Sequence, residues 1–318
     1  MSLTDKHRGR YEGPRPRVAP PRILLLGASG QVGSHLADAL APAGEVRALK
    51  RAEADFLKPR SALAAVSDFD PQVVVNAAAW TKVDLAESNV EEAFLVNSET
   101  PGLLAGWAAG RGALFVHFST DYVFDGEKKT PYDEDDQPAP INAYGASKLA
   151  GEKAVARAGG DHLIFRTSWV FSPRGENFPR TILRLAETRE ELSVNDDQVG
   201  APTSADFLAD MASMAVQRHF GGRPAHSGVY HLAGSGRTSW FGYANYLVER
   251  APAAGFQINP RLVVRPTYGP DPSRPARRPL NSLLDSGKFA RTFNLTPPGW
   301  EDMADGFLTL LADRGPEA

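Results

Sequence analysis

Short apolar runs alternate with helical patterns along the first half of the chain. The runs that are read as strands cover residues 22–27, 45–49, 73–79, 113–119 and 162–168. An amphipathic helix is predicted from about Gln31, directly after the first run. Because most of these runs are continuously apolar, they are typical of strands covered on both faces. Parallel strands need crossover connections, so this alternation predicts an α/β fold with a doubly wound parallel sheet of the Rossmann type.

The pattern of apolar and polar residues changes after Phe171. Over the rest of the chain the pattern predicts a helix at 177–192, a strand at 228–234 and a helix at 239–251. The strand at 228–234 is expected to return to the sheet. Residues 260–280 are rich in Pro and Arg and show no clear period, so no element is predicted there.

These changes of pattern divide the chain into three parts. Residues 1–21 have little apolar periodicity and several prolines, which predicts a flexible extension ahead of the fold. Residues 22–172 are expected to form the Rossmann domain, which the returning strand near 228–234 completes. Residues 173–318 are expected to form mainly a smaller, interleaved lobe that binds substrate.

Composition excludes several classes of function. A chain of 318 residues, 42% hydrophobic and 23% charged, can bury a sizeable core. The formal net charge of -3, without a run of Lys and Arg, argues against a nucleic-acid partner. No apolar run approaches the ~20 residues that span a bilayer, and the N-terminus lacks the apolar core of a signal peptide. We therefore expect a cytoplasmic protein without a membrane partner, and the absence of cysteine excludes thiolate chemistry.

Three glycines follow the first predicted strand. Gly27, Gly30 and Gly33 have the spacing G-x-x-G-x-x-G between that strand and the next helix. Glycine lets the backbone turn tightly and approach a pyrophosphate, and a helix N-terminus offers free N–H groups with a partial positive charge. In this context the spacing predicts a dinucleotide site, and a glycine-rich turn without a ligand is the alternative.

The end of the second strand bears on the choice of cofactor. An acidic residue usually stands there when the ribose 2′-hydroxyl is recognised, whereas this chain has Lys50 and Arg51. These cations would tolerate a 2′-phosphate and favour NADPH over NADH, and the alternative is that they are simply solvated. Asp55 and Phe56 follow closely enough to flank an adenine.

The segment AYGASKLAGE, residues 143–152, places a phenol and an ammonium four positions apart. On a helix this spacing sets Tyr144 beside Lys148. Hydride reduction of a carbonyl creates an alkoxide that needs a proton, and the ammonium is expected to lower the pKa of the phenol from ~10 so that it can supply one. The same spacing is frequent by chance on surface helices, so the glycine turn upstream favours the chemical interpretation.

Two hydroxyl residues end the predicted strand at 113–119. Ser119 and Thr120 follow its apolar residues, and ligands of open parallel sheets lie at the carboxyl ends of the strands. Thr120 is therefore expected to hydrogen-bond a substrate oxygen. The alternative is that both hydroxyls only satisfy backbone groups where the strand ends.

Together these motifs resemble the extended short-chain dehydrogenase/reductases and, within them, the dTDP-4-dehydrorhamnose reductase family. The resemblance runs nearly from Arg22 to the C-terminus. It is carried by GASGQVG (27–33), VVNAAAWTKVDLAES (74–88), VN (96–97), FSTDYVFDG (118–126), PYDEDDQPAPINAYGASKLAGE (131–152), RTSWVFS (166–172), DQVGAPTSA (197–205) and RPLNSLLD (278–285). Tyr122 follows Asp121 directly, whereas related sugar-nucleotide dehydratases typically have Asp-Glu-Val-Tyr after the threonine.

The resemblance implies reduction of the 4-keto group of a dTDP-6-deoxy-4-ketosugar to dTDP-L-rhamnose, with NADPH or NADH as the hydride donor. It implies that Thr120, Tyr144 and Lys148 are catalytic. The residues implied along the cofactor, besides Tyr144 and Lys148, are Gly27, Gly30, Gln31, Val32, Gly33, Asp55, Phe56, Ala77, Ala78 and Ala79. Those implied along the nucleotide-sugar substrate are Thr81, Val83, Thr120, Asp121, Tyr122 and Trp169, of which Trp169 would equally suit a core.

One position departs from the family. Some members form a magnesium-dependent dimer through an acidic residue two positions after the last glycine of the turn, where this chain has His35. Because Mg²⁺ prefers oxygen ligands, no metal is expected, and a homodimer stays possible.

Two alternative functions share the same motifs. One is a reductase that acts on another nucleotide 4-ketosugar. The other is a non-catalytic, NADP-binding regulatory subunit that resembles the β subunit of methionine adenosyltransferase.

Overall fold

The computed structural model describes residues 20–222 and 226–314, so residues 1–19 of the predicted extension lie outside it. Within these ranges, no helix combines the length and the apolar character needed to cross a membrane. The strands are β1 (Arg22–Leu26), β2 (Glu45–Leu49), β3 (Val73–Asn76), β4 (Leu114–Thr120), β5 (His162–Thr167), β6 (Val170–Phe171), β7 (Glu191–Asn195), β8 (Val199–Gly200), β9 (Thr203–Ser204), β10 (Gly228–His231), β11 (Thr238–Ser239) and β12 (Val263–Thr267). The α-helices are α1 (Gly33–Leu40), α2 (Pro59–Phe69), α3 (Val83–Ala86), α4 (Val90–Phe94), α5 (Thr100–Ala109), α6 (Ala143–Arg157), α7 (Phe178–Thr188), α8 (Ala205–Phe220), α9 (Trp240–Arg250), α10 (Gly287–Phe293) and α11 (Trp300–Arg314).

A six-stranded sheet in the order β10-β5-β4-β3-β1-β2 forms the centre of the molecule. All of its neighbouring strands are parallel. The prediction of a doubly wound parallel sheet is thereby confirmed. β10 pairs with β5, as expected for the returning strand, and it ends at His231.

The sheet is covered on both faces, which explains its continuously apolar strands. Ile23 and Leu25 face one hydrophobic cluster while Leu24 and Leu26 face another, and all four side chains are fully buried. The first cluster also includes residues of α8, α9 and α11, and α8 packs against α1. The parts before and after residue 172 therefore share one core.

Two elements of the later half differ from the sequence expectation. The helix predicted at 177–192 is α7, which ends at Thr188, and β7 begins at Glu191. In β7, Leu192 and Val194 are buried while Ser193 is exposed, so a period of two replaces the helical one. The region without a predicted element contains β12, which pairs in parallel with β7.

Three neighbouring strands bring the predicted site residues to one edge of the sheet. β1, β3 and β4 lie side by side, and their carboxyl ends lead into the glycine turn, the Ala77–Ala79 loop and Asp121. The strand predicted at 73–79 ends already at Asn76, so the three alanines form a loop. α6, which carries Tyr144 and Lys148, packs against β4 and against the short 3-10 helix Asp121–Val123.

Candidate active site

The glycine turn has the shape that a dinucleotide site requires. Gly27 has a φ of +82°, and a Cβ there would lie 2.5 Å from the backbone nitrogen of Ala78. A Cβ on Gly33 would overlap the carbonyl of Gly27, whereas one on Gly30 would come no closer than 3.4 Å to it. The chain itself thus requires the first and third glycines and leaves open space at the second. Since no side chain caps the N-terminus of α1, its first N–H groups suit a pyrophosphate.

Gln31 and Val32 join the turn to the rest of the protein. The Gln31 Oε1 accepts a hydrogen bond of 3.0 Å from the side-chain amide of Asn177, and that amide also donates to the Ser172 carbonyl at 2.7 Å. Val32 is half-buried against the core. These contacts hold the predicted cofactor turn against the loop that leads into α7.

The residues after β2 that are predicted to lie near the adenine differ in exposure: Lys50 and Arg51 are exposed, whereas Phe56 is buried. The Arg51 side chain, 72% exposed, lies 3.5 Å from the Asp55 carboxylate, and Lys50 is exposed. The Lys50 backbone N–H donates to the Glu53 carboxylate at 2.9 Å. The ring of Phe56 is buried in the core, so the backbone of Phe56 is the part left to border an adenine.

Asn97 joins the Ala77–Ala79 loop to α6. Its side-chain oxygen accepts from the Trp80 N–H at 2.8 Å, and its amide donates to the Trp80 carbonyl at 3.1 Å and to the Ser147 hydroxyl at 2.9 Å. Asn97 is fully buried and lies in a single turn of π-helix, Leu95–Glu99, between α4 and α5. Such turns are frequent at functional sites. The VN pair at 96–97 is one of the motifs that carry the family resemblance, and no local signal in the sequence predicts the π-helix.

The predicted catalytic pair, Tyr144 and Lys148, differs from expectation in its electrostatics. Burial raises the pKa of Tyr144 to about 12, although a hydrogen bond with the Thr120 hydroxyl lowers it and the Asp121 carboxylate raises it further. The Lys148 ammonium donates to the Phe118 carbonyl at 2.6 Å, and burial lowers its pKa to about 8, partly offset by Glu152. The predicted lowering of the phenol pKa is therefore wrong for this structure, because burial outweighs a cation that is directed at the strand. The raised pKa makes the phenol a weaker acid, but it leaves Tyr144 with a proton at neutral pH that a strong base such as an alkoxide can take.

A buried polar pair lies beneath the lysine. His117 on β4 is the register partner of Asn76 on β3, and the Asn76 amide lies 3.0 Å from the His117 Nδ1. The other ring nitrogen is 3.5 Å from the Lys148 Nζ. Burial and then the nearby ammonium hold the pKa of His117 well below its usual range, so the ring is neutral. The Asn76 oxygen accepts from the Ala78 N–H at 3.0 Å, which links the cofactor loop to the lysine.

A second buried network begins at Ser119, two residues after His117 on β4. The Ser119 hydroxyl donates to Glu152 at 2.5 Å, and Glu152 accepts two hydrogen bonds, of 2.9 and 2.7 Å, from Arg166. The Arg166 guanidinium lies 3.4 Å from a ring nitrogen of His231 on β10. Burial, followed by the Arg166 charge, lowers the pKa of His231 to about 3. Ser119 thus faces the interior and not a ligand.

Thr120, Asp121 and Tyr122 lie together at the end of β4, next to Tyr144. The Thr120 hydroxyl donates to an Asp121 carboxylate oxygen at 3.1 Å and accepts from the Tyr122 N–H at 3.2 Å. The rings of Tyr122 and Tyr144 meet edge to face, with centroids 5.6 Å apart. Burial raises the pKa of Asp121 to about 7, against hydrogen bonds with Ser282 and Thr120 that lower it. Burial and the Asp121 charge also raise the pKa of Tyr122.

The remaining predicted substrate residues lie around this cluster. Thr81 is exposed, and Val83 begins α3. Trp169 has a φ of +48°, an uncommon conformation for a bulky residue, and its ring stacks on Trp240 with centroids 3.5 Å apart. Its other side is covered by Gly200, where a Cβ would lie 2.6 Å from the indole. Both faces of Trp169 are therefore packed, and its edge is the part that can meet a substrate.

The His35 position shows how the departure from the family is accommodated. The His35 ring lies 3.0 Å from the Ser172 hydroxyl, on α1 where this helix meets α8. In residues 20–222 and 226–314, no group of three or more His, Asp or Glu side chains is arranged to hold a metal.

Comparisons with known proteins show the family of the chain. The family described as RmlD substrate binding domain matches residues 21–312. A dTDP-4-dehydrorhamnose reductase of Burkholderia thailandensis is 49% identical over 285 residues, which are 88% of this chain and 95% of that protein. One of Escherichia coli (strain K12) is 45% identical over 285 residues, 88% of this chain and 94% of the relative.

The chain is also similar to the solved structure of a protein with the same name as these relatives. The dTDP-4-dehydrorhamnose reductase of Bacillus anthracis, in complex with NADP, superposes with a TM-score of 0.82 at 32% identity, covering 90% of this chain and 98% of that one. Because the family match spans nearly the whole chain and these relatives cover most of it, the chain belongs to the RmlD substrate binding domain family.

Proposed function

We propose that this chain is an NADPH-dependent dTDP-4-dehydrorhamnose reductase, which converts dTDP-4-dehydro-L-rhamnose to dTDP-L-rhamnose. The observation that carries the proposal is the Tyr144 phenol, whose ring meets Tyr122 edge to face beside Thr120, at the strand edge that also bears the glycine turn. Relatives of 45% and 49% identity bear this name, and the related Bacillus anthracis structure contains NADP.

The residues of the turn fit a dinucleotide. The open space at Gly30 and the uncapped N-terminus of α1 would hold the pyrophosphate, and Ala77, Ala78 and Ala79 would border the cofactor further along the edge. Lys50 and Arg51 favour NADPH, with NADH as the second cofactor. Bound NADPH supplies a hydride to the ketone carbon.

The chain supplies the proton. Tyr144 keeps its proton at neutral pH because its pKa is about 12, and it gives that proton to the substrate oxygen, which as an alkoxide is the stronger base. Thr120 orients the phenol and the substrate oxygen by hydrogen bonds. Lys148 is held by the Phe118 carbonyl, and its charge stabilises the anion that develops nearby.

The position of the substrate, the cellular location and the oligomeric state are proposed together with this function. We propose that residues 173–318 contribute mainly the substrate lobe and that the sugar nucleotide lies along Asp121, Tyr122, the Trp169 edge and the Thr81–Val83 segment. We also propose a cytoplasmic location and a homodimer. The packing of the Trp169 and Trp240 rings beside the edge of the main sheet supports such a lobe.

A product-resolved assay tests the function. Purified full-length chain is mixed with dTDP-4-dehydro-6-deoxy sugars and either NADPH or NADH, cofactor oxidation is followed by absorbance, and the product is identified by NMR. We expect dTDP-L-rhamnose, with faster turnover on NADPH. A different product would indicate a reductase of another ketosugar. NADPH binding without turnover would favour the regulatory subunit.

A further inference from the structure

The ring of His117 is buried between two polar neighbours. Its Nδ1 lies 3.0 Å from the side-chain amide nitrogen of Asn76, and its Nε2 lies 3.5 Å from the Lys148 Nζ. All three side chains belong to residues that are 2% exposed or less. Within the part of the chain that the structure describes, neither ring nitrogen has another hydrogen-bond partner. The position of the proton on this ring therefore depends on Asn76 and Lys148.

The backbone fixes the orientation of the Asn76 amide. The Ala78 N–H donates to the Asn76 Oδ1 at 3.0 Å, so the oxygen faces the cofactor loop and the NH₂ group faces His117. An NH₂ group can only donate, so the His117 Nδ1 must offer a lone pair. An imidazole with a lone pair on Nδ1 carries its single proton on Nε2, on the side of Lys148. The ring therefore presents an N–H to the lysine.

An N–H that faces Lys148 distinguishes between the two charge states of the amine. The ammonium has donors only, so it meets the His117 Nε2–H as donor against donor, whereas the neutral amine has a lone pair that can accept. The Phe118 carbonyl, 2.6 Å from the Nζ, accepts a hydrogen bond from either form. Burial lowers the pKa of Lys148 to about 8 and holds that of His117 well below its usual range, which agrees with a neutral ring beside a weakly held proton.

We propose that Asn76 and His117 tune the charge of Lys148: Asn76 fixes the ring with its Nε2–H toward the amine, so that the charged lysine loses its proton at a lower pH than an ordinary lysine does. The proposal rests on the proposed reductase function, in which this charge stabilises the developing anion. Asn76 and His117 act through Lys148, so they are positioning residues.

The other charged groups around α6 leave His117 as the titratable side chain that faces the Lys148 Nζ from the sheet. Glu152, one turn further along α6, favours the ammonium, but its carboxylate already accepts from Ser119 and from Arg166 of β5. The titratable groups on the remaining elements that pack against α6 are engaged elsewhere or exposed: Asp84 pairs with Arg278, Asp121 and Tyr122 lie beside Tyr144, and Glu87, Glu91, Glu92 and Glu99 are exposed.

Nitrogen NMR of the wild-type chain with isotope-labelled histidine measures the tautomer without turnover. We expect the His117 signals, assigned by their loss in His117→Gln, to show a proton on Nε2 and a lone pair on Nδ1. His231 is the internal control, because its Nδ1 lies 3.0 Å from the Tyr132 carbonyl and must carry the proton. Opposite tautomers in these buried rings support the proposal, and a protonated Nδ1 in His117 overturns it.

Two substitutions of Asn76 test the effect on Lys148. Asn76→Asp keeps an acceptor for the Ala78 N–H but also accepts from His117, so the ring proton moves to Nδ1 and Nε2 gains a lone pair for the ammonium. Asn76→Leu removes the donor without adding a charge, which allows the same tautomer. In both variants we expect the alkaline limit of kcat, at saturating NADPH, to move up by about one pH unit. The Kd for NADPH, measured by fluorescence titration, should rise mainly in Asn76→Leu, where the Ala78 N–H has no acceptor.

Other outcomes overturn the proposal. An alkaline limit that stays at the wild-type pH in both variants rejects the tuning of Lys148. A limit that moves in Asn76→Asp alone comes from the added charge and rejects it as well. If neither variant folds, the tautomer of His117 in the wild-type chain decides. Absence of wild-type turnover overturns the reductase function, and the carbon NMR shift of the Lys148 Cε against pH then tests the tuning in the same three proteins.

Discussion

Replacing Asn97 by alanine tests whether one buried amide holds the two halves of the site together. The side chain donates to Ser147 on α6 and makes hydrogen bonds to both backbone groups of Trp80 in the cofactor loop. Truncation leaves the Trp80 N–H and its carbonyl without these partners, and it leaves a small cavity at a fully buried position. The loop and α6 are then free to shift relative to each other.

The expected loss of unfolding free energy follows from the number of hydrogen bonds that the substitution removes. An unsatisfied buried donor or acceptor costs about 1–3 kcal/mol, so the loss of three bonds at partly buried groups should cost roughly 2–4 kcal/mol of unfolding free energy. With an unfolding entropy of about 2.1 cal/mol/K per residue, each kcal/mol lowers the Tm of a chain of 318 residues by about 1.5 °C, which gives a fall of roughly 3–6 °C. Because displacement of about 1 Å can cost about a hundredfold in rate, kcat should fall at least tenfold at temperatures where the variant is folded.

Thermal unfolding and steady-state reduction of the sugar nucleotide measure the two effects. Asn89→Ala is the matched control, because the Asn89 amide donates locally to the Leu85 carbonyl at 2.8 Å and to the Ser88 hydroxyl at 3.0 Å near the surface. The control is expected to change unfolding free energy by less than about 1 kcal/mol. If Asn97→Ala has the same Tm as the Asn89→Ala control and the kcat of the wild-type chain, the hydrogen bonds of Asn97 between the loop and α6 contribute neither to stability nor to the position of the site.

Further predictions concern the proton donor, a buried histidine and the glycine turn. Tyr144→Phe should lower kcat by about 10²–10⁴-fold while NADPH affinity stays unchanged, and an undiminished rate would remove the phenol from the mechanism. His231 has a pKa of about 3 when folded against 6.5 when unfolded, so its contribution to stability is complete above pH 6.5 and declines as the pH falls. The free energy of unfolding in urea should therefore fall by up to about 1.4 kcal/mol per pH unit between pH 6.5 and 5 because of His231. The total slope should be smaller by that amount in His231→Gln, where His117, whose pKa is also lowered, keeps its own contribution. Gly33→Ala should unfold at a much lower temperature because its Cβ overlaps the Gly27 carbonyl, whereas Gly30→Ala should fold normally and bind NADPH weakly; equal melting of the two would contradict the steric argument.

The sequence allowed the central sheet to be predicted because its strands are buried on both faces. Continuous apolar runs such as the one that forms β1 have no competing helical period, and the glycine spacing after it has a steric cause in Gly27 and Gly33. β12 was not predicted, because Arg265 and its neighbours are largely exposed and the strand is defined by pairing with β7. Short strands of this kind depend on tertiary contacts and not on local pattern.

The sequence allowed the position of the candidate site residues at one edge of the sheet to be predicted, but not their electrostatics. The i, i+4 spacing predicted that Tyr144 and Lys148 lie on one face of α6. It gives no information on how deeply the two side chains are buried, and burial is the largest cause of both pKa shifts. The Asn97 bridge also left no local signal, because its partners Trp80 and Ser147 are distant in sequence. Long-range hydrogen bonds arise from the packing of elements, and no periodicity within one element reveals them.

The register of the sheet explains how the cofactor loop and the proton donor are kept at a fixed separation. Asn76 and His117 are partners on adjacent parallel strands, so their contact is set by the backbone ladder. Asn76 then holds the Ala78 N–H, while His117 lies against Lys148 one turn below Tyr144. A second tie runs from Trp80, directly after this loop, through Asn97 to Ser147 on α6. Both ties end on α6, at the adjacent residues Lys148 and Ser147, so displacement of the phenol relative to the loop would have to break both. In this way the hydrogen bonds between loop and helix can hold a proton donor in place between turnovers.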